Sequence, residues 1–421
     1  MIEKAKELIE KEQHEQTGAL TLRRCQLDHI PAAVGEMTWL TRLSLVGNEI
    51  QQIEGLEKLE RLEELSLSSN QISKIEGLEQ LSGLKKLRLR KNLITQIEGL
   101  EQLPHLEVLW LDRNQISRIE GIEMQKELKT LLLADNGISD MEGLSHLRNL
   151  TELDLADNTL SQITGLEQLQ RLKTLTLYGN QLSQISGLSQ LENLEKLFLS
   201  NNHIKEIGDL EEFTNLRALD LANNQISRIS GLSKLRQLSE LRLSYNQIQQ
   251  IEGLEGLSAL SMLNIDHNLL TRLDGLEGLP ALELLYADHN QISAIVDTID
   301  LPGLKYLDLS DNPLAAMPDG IKDFVSTLPH LNLSGTLIGD LDYFHDAIEA
   351  GKRMLWQGRG FQLGPAPDNE RYVEVQLFGS EVYYFPKGIN VMGCNQLNPG
   401  LINALKAGHE ALLDYIDATK A

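Results

Sequence analysis

The sequence predicts an α/β solenoid: short parallel strands stacked into one sheet, an N-terminal helical cap and a small C-terminal α/β capping module. Three observations predict it. Asparagine recurs at Asn48, Asn70, Asn92, Asn114, Asn136, Asn158, Asn180, Asn202, Asn224, Asn246, Asn268, Asn290 and Asn312, thirteen positions each 22 residues from the last. The frame around them is L-x-x-L-x-L-x-x-N-x-[IL]-x-x-[IL], as in LEELSLSSNQISKI (62–75). Only 5% of the 421 residues are aromatic, so leucine and isoleucine must supply most of the buried surface.

The elements follow in chain order. Residues 2–15, IEKAKELIEKEQHE, read as a short charged helix with Ile2, Leu8 and Ile9 as its apolar contacts. The stretch 19–31, ALTLRRCQLDHIP, repeats the L-x-L frame with Cys25 where asparagine is expected, and reads as a degenerate first repeat. Thirteen regular repeats follow. HLNLSGTLI (330–338) then puts Thr336 in the asparagine position, 24 residues after Asn312, as a divergent last repeat. Beyond it the period breaks. YFHDAIEAGKRMLWQ reads as a helix and GPAPDNE (364–370) as a loop. YVEVQLFGSEVYYFP (372–386) alternates on both sides of Gly379-Ser380, a hairpin signal. Asn398 caps a helix over 399–418 that opens with Pro399 and carries the stripe Leu401, Leu405, Leu412, Ile416. The expected organisation is a helical cap over 1–17, a solenoid over 18–340 and an α/β module over 341–421.

Within a repeat, L-x-L alternation makes a short strand with its leucines on one face. The asparagine then turns the chain, and its amide pairs backbone groups that burial would otherwise leave unsatisfied. Asn70, Asn92, Asn114, Asn136, Asn158 and Asn180 are therefore structural turn residues. Seven residues after the asparagine stands glycine in most repeats (Gly55, Gly77 and Gly99, for example), where a bend would be hindered by a side chain. Asp209, Asp297 and Asp319 replace it in three repeats. One repeat cannot bury its leucine face alone, so the repeats must stack.

Residues 39–333 resemble the leucine-rich repeat family, in the 22-residue subclass found in a regulatory subunit of protein phosphatase 1 and in bacterial internalins. The run I-x-x-I-E-G-L-E-x-L, as at 72–81, is the part closest to that subclass. The resemblance implies a curved horseshoe with a concave parallel sheet, 3₁₀ or irregular segments on the convex side, and protein recognition by the concave face. The C-terminal module carries no such resemblance.

Strand alternation points the residues six, four and two before each asparagine away from the core. Lys86, Arg88 and Arg90, with Lys91 and Arg113, form a basic cluster. Trp110, Leu132, Tyr178 and Phe198 place apolar and aromatic groups in the middle, interspersed with Asp112, Asp154 and Asp220. Tyr245, Asp266, Tyr286, Asp288 and Asp308, with Asp311, His267 and His289, make the C-terminal third acidic. Charges usually end as a solvated face. Three adjacent outward positions of one sign, however, raise a local field, and central aromatics are common hot spots. These residues are the candidate partner-binding set. The tripeptide DHN, repeated at 266–268 and 288–290, reads as divergence from a shared motif, and no metal is assigned to it.

Sixty-one acidic against 38 basic residues give a formal charge of −23, which disfavours binding to a phosphate backbone. Two cysteines far apart exclude a dense disulfide framework and fit a reducing compartment. No apolar run approaches a membrane span and no secretory leader is read, so a cytoplasmic monomer without cofactor is expected; export by another route would leave no trace here. The leading functional expectation is a non-enzymatic scaffold that grips a protein partner. The alternatives are a bacterial effector or toxin-neutralising protein whose C-terminal module has its own activity, and a phosphatase-regulatory subunit. An enzyme would draw on Cys394, His409 and His345, but no activating neighbour for the thiol can be placed. An oligomer paired through the hairpin edge is the remaining class.

Overall fold

The computed structural model describes residues 2–208, 210–295, 300–318, 322–339, 341, 344–355, 362–363, 372–376, 382–394 and 396–420. The chain divides into two compact units, Met1–His203 and Ile204–Ala421, each built as a parallel-sheet solenoid. Among the described residues no helix is long and apolar enough to cross a membrane.

In the first unit three-residue strands run from Ala19–Thr21 and Arg42–Ser44 through Lys86–Arg88 and Val108–Trp110 to Lys196–Phe198, each parallel to the next. The register follows the 22-residue period: Leu43 lies opposite Leu65, Leu65 opposite Leu87, and Leu87 opposite Leu109. These central leucines are fully buried or nearly so, and their strand neighbours are mostly half-buried.

The asparagine ladder explains why the period is rigid. Asn180 donates to Leu177 O within its own coil (3.1 Å) and to Leu155 O of the coil before (2.9 Å), and accepts from Leu160 N (3.0 Å). One amide thus satisfies backbone groups on two coils, and any insertion would put the donors out of reach. The bonds reach backwards along the chain. That is why Cys25 can occupy the first ladder position: no earlier repeat offers carbonyls to an asparagine there. The second coil reaches back to it, Asn48 accepting from Cys25 N (2.8 Å) and donating to Leu22 O (2.8 Å).

Glycine at the seventh position serves both backbone conformation and close packing, as Gly77 shows. Gly77 has φ +71°, and a Cβ there would lie 2.1 Å from Ile53 O of the preceding coil. The three aspartates that replace it, Asp209, Asp297 and Asp319, lie outside the described residues. The N-terminal helix Ile2–Glu15 packs through Ala5, Ile9 and Glu12, while Leu8 is only half-buried. Sequence reading took this contact as purely apolar. Burial pushes the Glu12 carboxyl up, but hydrogen bonds from Thr17, Trp39 Nε1 (3.0 Å) and Gly18 N (2.9 Å) outweigh it and hold the group below its ordinary value.

In the second unit the sheet runs from Ala218–Asp220 through Tyr306–Asp308 to His330–Asn332. It does not stop at 340. Gly388–Asn390 adds to it in parallel, Ile389 opposite Leu331, and Met354–Leu355 pairs with the same strand. GINVMGC (388–394) is therefore one more coil, with Cys394 in the ladder position. Its thiol donates back to Leu333 O (3.1 Å), as the asparagines do. The hairpin pairs Tyr372–Gln376 with Val382–Pro386, its turn lying outside the described residues, as does the loop 364–370. The helix read over 399–418 is two, Pro399–Ala407 and His409–Lys420, broken at Gly408 with φ +115°. Asn398 caps the first through Leu401 N (2.8 Å).

Candidate functional site: the outward face of the sheet

In the first unit the basic residues of successive coils converge. A cleft of about 780 Å³ is lined by Arg23, Arg42, Arg88, Arg90, Lys91 and Arg113, with Glu64 the one carboxylate of the lining. Ser44, Ser66, Ser68 and Ser69 add hydroxyls, and Trp110 closes one side. The Arg88 guanidinium sits over the Trp110 ring, 4.7 Å from its centroid. Such stacking holds a cation near an aromatic face without neutralising it. Three of the cations hold carboxylates: Arg88 with Glu64 (3.6 Å), Arg90 with Asp112 (2.6 Å) and Arg113 with Asp135 (3.7 Å). Arg23, Arg42 and Lys91 form no salt bridge among the described residues.

Electrostatics record the local field. The hydrogen bond from Lys86 (2.8 Å), with the charges of Lys86, Arg88 and Arg42, keeps the Glu64 carboxyl below its ordinary value despite burial. Lys86 itself lies outside the cleft lining. Asp112 behaves oppositely: burial raises its carboxyl, and Arg90 offsets only part of that. Arg23 and Arg42 escaped the sequence reading: Arg23 stands two before Cys25 in the degenerate first repeat, and Arg42 six before Asn48, in a column of which only Lys86 was singled out. Extending the outward register back to the Cys25 coil finds Arg23, and reading the six-before column as a whole finds Arg42.

Trp110 is displayed only in part. It is half-buried, and its Nε1 is covered without a hydrogen-bond partner. Leu132 and Phe198 are also half-buried, and Tyr178 is exposed. Trp110 pairs opposite Leu132, which lies opposite Asp154, so the apolar surface is interrupted by a carboxylate. Burial first, then the nearby charges of Asp112, Glu152 and Asp157, raise Asp154 despite a hydrogen bond from Ala156 N (3.0 Å).

Three acidic residues of the outward columns are nevertheless covered by their neighbours: Asp112 is 8% exposed, Asp288 2% and Asp308 2%. Asp308 is the anchor of a polar knot. It accepts from Tyr306 Oη (2.8 Å), Ser310 N (3.0 Å), Ser310 Oγ (2.6 Å) and Asn332 Nδ2 (2.9 Å). An outward strand position is thus buried among donors from its own coil and from the next. The Tyr306 ring stacks on His330 at 4.9 Å, and burial followed by the Asp308 charge pushes its hydroxyl well above the ordinary value. Asp220, Asp266 and Tyr286 remain half-buried on the face, and Tyr245 is exposed.

Cys394 is 1% exposed, and burial pushes its thiol up even with Thr336 Oγ1 at 3.4 Å. A buried thiol bonded into a backbone ladder has the surroundings of a structural cysteine, not of a nucleophile. The signal was legible: I-x-V-x-x-C at 389–394 repeats the L-x-L-x-x-C of 20–25. His409 is exposed on its helix, and the His345 side chain lies outside the described set. Among the described residues one group of metal-ligating side chains comes together, His267, Asp288 and His289, whose ligand atoms lie within 4.8 Å of one another, but the two imidazoles stack in parallel planes and do not converge on a common point.

The family model described as Leucine Rich repeats (2 copies) matches residues 38–80, 82–123, 126–168, 170–212 and 214–258, and a further Leucine rich repeat model matches 250–292. The chain belongs to the leucine-rich repeat family. Among solved structures, a leucine-rich repeat protein of Leptospira interrogans is 28% identical over 80% of this chain and 95% of its own, with a TM-score of 0.70. An internalin, InlF, of Listeria monocytogenes is 27% identical over 72% of this chain and 90% of its own, with a TM-score of 0.64. No curated protein sequence matches the chain. Leucine-rich repeat proteins generally mediate protein–protein interaction, and the outward sheet residues are where this fold varies without cost to its core.

Proposed function

We propose that this leucine-rich repeat protein is a non-enzymatic binding scaffold whose N-terminal sheet face takes an acidic segment of a protein partner. The observation that carries the reading is the cleft: six cations line it, three of them without a salt bridge among the described residues, beside Trp110, in a chain of net charge −23. A field of that sign standing against an acidic background selects a negatively charged ligand and steers its approach. Trp110 and Arg88, stacked on one another, give the aromatic and guanidinium anchors that dominate interfaces. The serine hydroxyls add donors that a carboxylate can accept from. Nucleic acid is disfavoured by the net charge of the whole molecule.

The test uses the full-length protein and a fluorescein-labelled Glu-rich peptide containing one aromatic residue, read by fluorescence anisotropy. The expected outcome is saturable binding that weakens with salt, is absent for the Gln-substituted peptide, and falls about tenfold or more in the Trp110→Ala, Arg88→Ala double variant. Binding of the double variant at wild-type strength would sink the reading.

A further inference from the structure

We propose that the basic cleft of the first unit receives a phosphorylated side chain of the partner segment, an assignment that rests on the acidic-segment reading of the same cleft and names the group that fills it.

The outward register builds a low floor between long cations. Thr21, Ser44 and Ser66 hold one column on three successive strands, Thr21 opposite Ser44 and Ser44 opposite Ser66. Ser68 and Ser69 continue the lining toward the turn at Asn70. Short side chains leave the sheet open here, with Ser44, Ser66, Ser68 and Ser69 half-buried. Arg23 and Arg42 line the cleft from the first two coils, and Arg88, Arg90, Lys91 and Arg113 from the fourth and fifth. Among the described residues, the five hydroxyls take no hydrogen-bond partner within the protein. Three of the cations, Arg23, Arg42 and Lys91, are exposed and form no salt bridge among the described residues. Positive charge and unengaged hydroxyl donors thus share one concave volume.

A phosphoryl group uses both. A phosphomonoester carries about −1.5 to −2 charges at neutral pH and three terminal oxygens that accept hydrogen bonds. A carboxylate carries one charge and two oxygens in a single plane. Unpaired cations and hydroxyls spread over several coils suit the tetrahedral group, and guanidinium forks bind it bidentately. Arginine clusters are a recurring means of reading phosphorylated segments. Glu64 does not stand against it, because Lys86 at 2.8 Å and Arg88 at 3.6 Å answer its charge.

A phosphodiester chain fits the face less well. The cations span four strand steps, about 19 Å at ~4.8 Å each. Beyond them the face turns negative: Leu132 lies opposite Trp110, Asp154 opposite Leu132, and exposed Asp157 is on the same coil as Asp154. A short anionic group is selected over a long polyanion. The alternative is a solvated basic patch that attracts any anion by its field alone. The hydroxyls separate the two, because removing them changes no charge.

Full-length protein is titrated by fluorescence anisotropy with three labelled Glu-rich peptides that differ at one central position, serine, glutamate or phosphoserine. The phosphoserine peptide should bind about tenfold or more tighter than the glutamate peptide. The Ser44→Ala, Ser66→Ala variant should lower its affinity about tenfold and that of the glutamate peptide less than about twofold, with unchanged circular dichroism. The Arg23→Gln, Arg42→Gln, Lys91→Gln variant should bring the phosphoserine peptide down to the level of the serine peptide. Equal binding of the phosphoserine and glutamate peptides overturns the phosphoryl assignment while the acidic-segment reading stands. No binding of any of the three overturns both. Phosphoserine affinity that survives loss of both hydroxyls, or falls no further than that of glutamate, reduces the cleft to a field and overturns the assignment as well. A single-stranded oligonucleotide or phosphatidylserine vesicles bound more tightly than the phosphoserine peptide would overturn the choice of a protein segment.

Discussion

The N-terminal basic face and the C-terminal acidic face are written on the same 22-residue coil, yet their outward residues have different fates. Around Trp110, Lys86 bridges to Glu64 and Arg90 to Asp112 from coil to coil, and the long side chains keep their charges at the surface. Around Tyr306, short carboxylates and rings cover one another: Asp308, Tyr306 and His330 are all buried and joined by hydrogen bonds or stacking. The backbone does not distinguish the two regions. Side-chain length and the donors on the next coil do, so an outward register position is an opportunity for display and not a guarantee of it.

The largest expected effect tests what the regions share. Asn180→Ala in the first and Asn290→Ala in the second each strip bonds to four backbone groups, Leu155 O, Leu177 O, Tyr178 O and Leu160 N in one, Ile265 O, Ala287 O, Asp288 O and Leu270 N in the other. Each should cost about 3–5 kcal/mol in urea unfolding. A large inequality between them would break the view that one frame supports both faces.

Next comes what separates them. Asp308→Ala leaves Tyr306, Ser310 and Asn332 without their acceptor and should cost about 3 kcal/mol. Asp112→Ala removes one ion pair to the half-exposed Arg90 and should cost about 1 kcal/mol or less. Equal losses would mean that the multiply bonded carboxylate and the singly paired one are held alike.

The smallest effect is a dependence on pH. Asp154 has its folded-state value raised above the reference of 3.8, so the stability its protonation contributes is full below that reference and is lost as pH rises through the folded value. Asp154→Asn keeps an oxygen to accept from Ala156 N and removes the charge. The variant should therefore be slightly more stable than wild type at neutral pH, with the gain disappearing below pH 3.8. A gain that stays constant across the series of urea curves would remove burial of the charge as its cause.

Much of the fold was legible because the period leaves little freedom: thirteen asparagines at one spacing require stacked coils, and the leucines on either side of Trp110 had to be core. The site was legible only as columns. The reading placed Arg88 next to Trp110 through the strand register, but not the guanidinium over the ring, which depends on rotamers. It missed Arg23, whose repeat is degenerate, and Arg42, whose partner position on the next coil carries Glu64 of opposite sign. It also took Cys394 for a possible nucleophile, because an interruption of more than 50 residues hides the frame that GINVMGC resumes.

The sequence by itself determined the coil, its register, its buried leucines and the ladder that holds it, since these follow from a period that repeats identically along the chain. Tertiary structure alone decided which outward charges are exposed and which are covered, that the two DHN turns stack His267 on His289, and that a last coil is formed by residues 388–394. The reason is physical. Period and alternation are local, whereas burial and pairing of a side chain depend on what the neighbouring coil places 3–4 Å away, on the order of one van der Waals contact.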